Sequence, residues 1–337
     1  MAVARTSAGF IKIRPARPGA HVAIVAPASP LTQASVERDV LRRGAAELTR
    51  LGFQPVIDAG VRLETGYTAG DARSRAASLT GALRDPSIDA IIALRGGFGS
   101  MHLLPLLDPA EWALRRTALV GYSDITSLHV FLNCQAGLVS LHGPMIDQRF
   151  SDGPEAYDPS SFLTALVGRP PGELPVPNAE ILMPGDDAVG PVLGGTLSML
   201  TASLGTPYAF DPPAGFILYL DDVNERPFRI DRMLTQLKYA GILAKAAAIV
   251  CNGMRDCDEP AAGLGNNAAA EADDARPRPT VRGVLRDVLA GFPGPVVFGL
   301  TSGHDAGEGV TIPFGVRGRV TASPRARLIM EEAAADD

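Results

Sequence analysis

The sequence predicts an α/β protein of two domains, the first built on a parallel sheet with helices on both faces. Three observations lead there. Through the first half, short and nearly continuous apolar runs alternate with helix-period segments, the βαβ pattern of a parallel sheet buried on both sides. From Ser151 to Asp187 the text turns rich in Pro, Gly, Asp and Ser, with Pro170 and Pro171 adjacent, and loses its periodicity. Beyond it, apolar strands and amphipathic helices resume. The 337 residues, 46% of them hydrophobic, suffice for two ordinary cores.

The elements follow in order. His21 to Ala26 reads as a strand, Gln33 to Leu51 as one amphipathic helix, and Gln54 to Ile57 as a strand. A polar helix from Asp71 to Arg84, a strand Ala90 to Leu94, a helix Met101 to Leu107 and a strand Ala118 to Gly121 continue the alternation. The expected division is an N-terminal extension (1–20), an α/β domain (21–150), a linker (151–187), a C-terminal domain (188–330) and a frayed acidic tail (331–337). The C-terminal domain opens with Gly194-Gly195 and an apolar helix. It then offers the strand Phe216 to Leu220, the helix Phe228 to Tyr239 and the strand Ala247 to Cys251. On the helix, Ile230, Met233, Leu234 and Leu237 share one face and read as core. Asp256 to Pro279 is polar and Pro-punctuated, and reads as a long mobile loop.

Composition narrows the function classes. A formal net charge of −6 gives no broad cationic field, which argues against nucleic acid or an anionic membrane as main partner and for a small molecule or peptide. No run of eighteen apolar residues occurs, and the first twenty residues hold Arg5, Lys12, Arg14 and Arg17 without an apolar secretory core. Cys134, Cys251 and Cys257 fit neither a disulfide framework nor a zinc ribbon, so they read as reduced thiols of a cytoplasmic protein. His21, His102 and His129 show no metal-ligand spacing, and neither HExxH nor CxxC occurs, so no metal or cofactor is expected.

Two turns carry the candidate chemistry. At Leu119-Val120-Gly121-Tyr122-Ser123-Asp124-Ile125-Thr126 an apolar strand runs into a polar turn and then a helix. A serine there stands above the carboxyl end of the sheet, and the following N–H, on Asp124, is free to bind an oxyanion. Ser123 and Asp124 as plain helix caps are the competing reading. Arg95-Gly96-Gly97-Phe98-Gly99 follows another apolar strand on the same edge, where Gly96 or Gly97 can supply a second oxyanion donor. The order of a nucleotide-binding P-loop is missing from it. His304, between Gly303 and Asp305, is either a base or an ordinary surface histidine, and His142, before Gly143-Pro144, suits a structural histidine bonded to backbone.

Read together, Arg95 to Gly99, Gly121 to Thr126, His142-Gly143-Pro144-Met145, Gly194 to Leu200, Leu220 to Arg232 and Gly303-His304 ahead of Val310 to Gly315 resemble the LD-carboxypeptidase family. The resemblance spans about Val22 to Val320. It implies a C-terminal domain built around a small β-barrel, a Ser-Glu-His triad in the cleft between domains, and a homodimer. It also implies removal of a terminal D-amino acid from a murein tetrapeptide in cytoplasmic recycling. Ser123 and His304 match the nucleophile and base positions. The family's glutamate is replaced by Asp221, followed by Asp222, Val223, Asn224 and Glu225, with Glu225 as an alternative acid or a helix N-terminal carboxylate. Aspartate orients a base histidine in many serine hydrolases, but its side chain is shorter by one carbon–carbon bond, roughly 1.5 Å. Arg95, Arg229 and Arg232 are candidates for substrate carboxylates, with salt bridging as their other reading.

Two further functions stand beside the leading one. A microcin-immunity branch of the family cleaves peptide- or aminoacyl-nucleotide conjugates, for which an aromatic residue stacking on adenine would speak. Trp112 lies in the first domain, while Tyr208 and Tyr239 lie in the second. A non-catalytic peptide-binding protein, disabled by the change to Asp221, is the other.

Overall fold

The computed structural model describes residues 9–175, 179–259 and 278–336. In chain order its strands are β1 (His21–Val25), β2 (Gln54–Ile57), β3 (Ile88–Ala93), β4 (Ala118–Gly121), β5 (Ser140–His142), β6 (Gly172–Glu173) and β7 (Glu180–Met183). There follow β8 (Ala188–Thr196), β9 (Phe216–Asp221), β10 (Ala246–Asn252), β11 (Val296–Leu300), β12 (Ile312–Phe314), β13 (Arg317–Thr321) and β14 (Arg327–Met330).

The first sheet has the order β12-β5-β4-β3-β1-β2, with β1 to β5 parallel and β12 antiparallel on the edge. Its central strands carry Ile91, Ile92, Leu119 and Val120, all fully buried, as a sheet covered on both faces requires. The order in which strands are added reverses between β1 and β3, the switch point beside which parallel α/β sheets commonly bind ligands. The second sheet has the order β6-β14-β13-β8-β9-β10-β11-β7. Where the resemblance implies a small barrel, the pairing among the described residues runs as one eight-stranded row. Its centre, β8 to β11, is parallel, so Thr196, Asp221, Asn252 and the segment after Leu300 all emerge at one edge.

Several elements depart from expectation for local reasons. The helix read over Gln33 to Leu51 is two helices, Gln33–Glu37 and Val40–Arg50, broken where Asp39 takes a left-handed φ of 52° that short polar side chains tolerate. The stretch read as a linker contains the helix Pro159–Leu166, capped by Asp158, and the strands β6 and β7. The stretch read as an N-terminal extension is packed over Ile13 to Ala16, because Ile13 is fully buried and bridges Ala335, while Ala16 N–H donates to the Leu166 carbonyl. The same bridge orders the tail: Ala334 and Ala335 are buried, and Glu331 and Glu332 pair with Arg317, Arg319 and Lys12. Of the loop read over Asp256 to Pro279, residues 260–277 lie outside the described residues, and its flanks meet where Glu259 N–H donates to the Pro279 carbonyl at 3.3 Å. The apolar stripe Ile230, Leu234 and Leu237 on helix Pro227–Tyr239 is fully buried.

Gly194 shows how tightly β8 lies on β9, since a Cβ added there would fall 1.9 Å from the Tyr219 carbonyl oxygen. Both partners of that clash are backbone. Gly194→Ala is expected to cost about 3 kcal/mol, measured as a loss of unfolding free energy in urea. An unchanged midpoint would show that the two strands can separate at no cost.

Candidate active site

The strand β4 ends at Gly121, where a Cβ would meet the Ile125 side chain at 2.9 Å, and the chain then turns sharply through Tyr122 into a 3₁₀ turn, Ser123–Ile125. Ser123 sits at a φ of 65°, a left-handed conformation that costs a non-glycine residue on the order of 1 kcal/mol. Asp124 holds this strain in place. Its buried carboxylate accepts from Gly99 N–H (3.3 Å) and Ser100 N–H (2.8 Å), while Ser100 Oγ donates back to the Asp124 carbonyl at 2.5 Å. The glycine loop is thereby fastened to the serine turn. Gly96 lies directly against it, since a Cβ there would be 2.7 Å from Ser123 Cβ and 3.4 Å from Asp124 N. Burial raises the pKa of the Asp124 carboxyl, and the Ser100 and Gly99 bonds offset only part of that.

The second sheet contributes a buried pair. Asp221, at the carboxyl end of β9, is fully buried, and its Oδ2 lies 2.8 Å from His304 Nδ1. Its Oδ1 accepts from Asn252 Nδ2, at the end of β10, and from His304 N–H at 3.4 Å. Burial pushes the Asp221 pKa up, but the charge and hydrogen bond of His304 outweigh it and leave it below the ordinary value. For His304, burial works downward, and the Asp221 charge and bond, helped by Asp222, leave its pKa raised. An ionised Asp221 accepts from Nδ1–H, so in the neutral ring Nε2 is the basic nitrogen. The shorter aspartate is reached because the loop closes on it: at Gly303, with φ of 58°, a Cβ would fall 2.4 Å from Asp221 Oδ2.

The two halves meet at Tyr122, whose buried ring stands edge-on to the His304 ring with centroids 5.1 Å apart. His304 is thus packed against the residue that precedes Ser123. Among the described residues no hydrogen bond joins Ser123 to His304, a loose arrangement common in unliganded hydrolases. Thr196 N–H donates to Thr126 Oγ1 at 3.0 Å and ties the end of β8 to the helix behind the serine. Asp222 and Asp305 flank the pair, and burial pushes each carboxyl up to about 6.

The other residues singled out in the sequence fall elsewhere. Glu225, just ahead of helix Pro227–Tyr239, pairs with Arg229 at 2.5 Å, so it is Asp221 and not Glu225 that meets the histidine. Arg95 donates to the Pro30 carbonyl at 3.0 Å and faces Asp147, and Arg232 lies over the Phe228 ring. His142 is not bonded to backbone: both ring nitrogens are buried without a hydrogen-bond partner, and burial pushes its pKa down to about 3. Trp112 is buried in helix Pro109–Arg115, Tyr208 packs near Phe131, and Tyr239 is largely exposed. Among the described residues no cluster of His, Cys, Asp or Glu could hold a metal ion, Cys251 and Cys257 are buried free thiols, and no helix is long and apolar enough to cross a membrane.

Comparison with known proteins places this arrangement. Models of the LD-carboxypeptidase N-terminal and C-terminal domains match residues 22–143 and 189–320. A protein of Streptomyces coelicolor is 36% identical over 92% of this chain and 94% of its own length. The chain belongs to the LD-carboxypeptidase family. Within the family, the murein tetrapeptide carboxypeptidase of Pseudomonas aeruginosa is 30% identical over 70% of this chain and 77% of its own. The microcin C7 self-immunity protein MccF of Escherichia coli is 27% identical over 82% and 83%. The crystal structure of muramoyltetrapeptide carboxypeptidase from Oxalobacter formigenes superposes with a TM-score of 0.76 and 28% identity, covering 93% of this chain and 99% of that one.

Sequence reasoning passed over Asn252 and the carboxylate of Asp124. Asn252 had a signal, a polar residue closing the apolar run Ala246 to Cys251 at a sheet's carboxyl edge. If Asp221 is what keeps the His304 pKa raised, Asp221→Asn leaves burial as the main influence, and the pKa falls below the ordinary histidine value of about 6.5. NMR titration of the imidazole reads this directly, and a pKa that stayed raised would assign the effect to another group.

Proposed function

We propose that the protein is a serine carboxypeptidase that hydrolyses an L,D peptide bond and releases the terminal D-amino acid of a murein-derived tetrapeptide in the cytoplasm. The observation that carries this reading is the Asp221–His304 pair at 2.8 Å, packed through Tyr122 onto the strained Ser123 turn. In the proposed reaction Ser123 Oγ attacks the carbonyl carbon of the scissile bond as its proton passes to His304 Nε2. Asp221 keeps the ring in the Nδ1–H tautomer and stabilises the imidazolium. The carbonyl oxygen, now an anion, is met by the Asp124 N–H and by the glycine loop. Because the Gly96 carbonyl accepts from Ser29 N–H, the Gly97 N–H of the same trans peptide points away from Ser29, which supports Gly97 over Gly96 as the second donor. Collapse breaks the C–N bond, His304 returns the proton to the departing amine, and water attacks the acyl-enzyme by the same route.

Similarity to a microcin self-immunity protein keeps nucleotide conjugates among the substrates to be tested. Trp112 is buried in the first domain and offers no face to an adenine. Incubation with tetrapeptide, tripeptide and aminoacyl-nucleotide panels, read by mass spectrometry, is expected to show loss of one D-amino acid from the tetrapeptide alone. Cleavage of the nucleotide conjugate alone would replace this reading, and no product from any would favour a binding protein. Ser123→Ala is expected to fold normally and lose turnover by about 10⁴-fold or more, because nucleophile and base act as one unit. Asp221→Asn should lose on the order of 10³-fold or more, whereas Glu225→Gln, which breaks only an exposed pair, should stay within about twofold of wild type. Wild-type turnover in Asp221→Asn would leave a serine–histidine dyad.

A further inference from the structure

Arg149 is a buried cation with an unusual set of partners. It is 8% exposed, yet among the described residues no carboxylate pairs with it. Its guanidinium instead serves four backbone carbonyls. Nη1 donates to Ala156 (2.8 Å) and Gly307 (3.2 Å), and Nη2 donates to Gly303 (2.5 Å) and Asp305 (2.6 Å). Three of the four belong to the loop that carries His304, including the residues immediately before and after it. The guanidinium carbon also lies 5.8 Å from the centre of the Tyr122 ring, which packs against His304 and His142.

That loop needs an outside restraint. Gly303, Gly307 and Gly309 fall within seven residues, and glycines lose the most conformational freedom when a loop is fixed. Asp221 fixes one end of the imidazole, but through a single side chain one bond shorter than glutamate. A planar fork of five donors reaches several carbonyls of a curved loop at once, which the point charge of lysine does not. The neighbouring stretch is stitched to the same segment, with Asp158 N–H donating to the Gly309 carbonyl at 3.0 Å and Thr311 N–H to Ser161 Oγ at 3.0 Å. Arg149 is the only one of these contacts that grips both sides of His304.

We propose that Arg149 is a positioning residue for the general base: it draws the Gly303–Gly307 loop onto the first domain so that His304 stays bonded to Asp221 above Ser123. The inference rests on the reading of Ser123 and His304 as the active pair. Its signature is a kcat effect without a KM effect, because Arg149 is turned to backbone and not to substrate.

The test compares Arg149→Lys and Arg149→Met in the full chain, beside Ser123→Ala, on a tetrapeptide ending in D-alanine. Displacing a base by about 1 Å costs on the order of 100-fold, so Arg149→Met is expected to lose about that much in kcat with KM within about threefold. Arg149→Lys keeps the charge and should recover only part of the loss. The His304 pKa separates position from charge, since Asp221 and Asp222 raise it and the Arg255 charge lowers it. Removing a positive charge alone would raise it. Release of the loop from Asp221 would lower it in Arg149→Met, with faster exchange of the Nδ1 proton. Folded variants with wild-type kcat, or with a raised His304 pKa, would overturn the proposal, as would a loss of thermal stability with unchanged turnover per folded molecule. If Arg149→Met does not fold, Arg149→Lys decides by the same readouts. Wild-type turnover in Ser123→Ala would instead overturn the underlying reading of the site.

Discussion

A fully buried aspartate is the constraint around which the second half of the molecule is arranged. Moving a carboxylate out of water costs several kcal/mol even after the protein relaxes, and Asp221 has no contact with solvent. It stays ionised because one oxygen faces the His304 ring and the other takes hydrogen bonds from Asn252 and the His304 backbone. The partners come from the end of β10 and from the loop after β11, so the charge is tolerated only when β9, β10 and that loop are all in place. Breaking one partner would leave an uncompensated charge, which is far more destabilising than the pair itself is stabilising.

The geometry follows from two parallel arrays turned toward each other. Ser29, the glycine loop and Ser123 leave the carboxyl ends of β1, β3 and β4, while Thr196, Asp221, Asn252 and His304 leave or follow those of β8, β9, β10 and β11. Parallel strands place all such ends on one edge, so each sheet supplies an ordered row of loops. Close approach at glycines joins the rows, at Gly195 against Thr126 and Gly303 against His142, while Gly96 against Ser123 and Gly303 against Asp221 tighten each row within itself. The edge strand β12 returns from the C-terminal half to pair with β5, Ile312 opposite His142, and fixes the two halves in one register.

Much of this was legible in the chain. The apolar runs that became β1, β3, β4, β9 and β10 were read because full burial leaves almost no polar residue in them. Ser123 and the glycine loop were read because a strand running into a tight turn has a local signature. What escaped was set by distant partners. Asp39 breaks a helix whose apolar pattern continues on both sides, β12 is three residues with a proline among them, and the ends of the chain are ordered by pairing with each other. Arg149 left no trace, because an arginine with three of its four carbonyl partners 154 to 158 residues away has no pattern in sequence. His142 was misread for the opposite reason: its neighbours promised a backbone partner that the packing does not provide.

In the proposed reaction Ser123, driven by the His304–Asp221 pair, forms an acyl-enzyme with the peptide left behind when a terminal D-amino acid departs. Rapid quenching of the enzyme with a murein tetrapeptide, followed by mass spectrometry of its proteolytic fragments, tests it most directly. A fragment containing Ser123 is expected to carry the mass of the tripeptide acyl group with a terminal D-alanine and to lack it with a terminal L-alanine. Adduct on another residue, or efficient hydrolysis by a protein lacking the Ser123 hydroxyl, would contradict it.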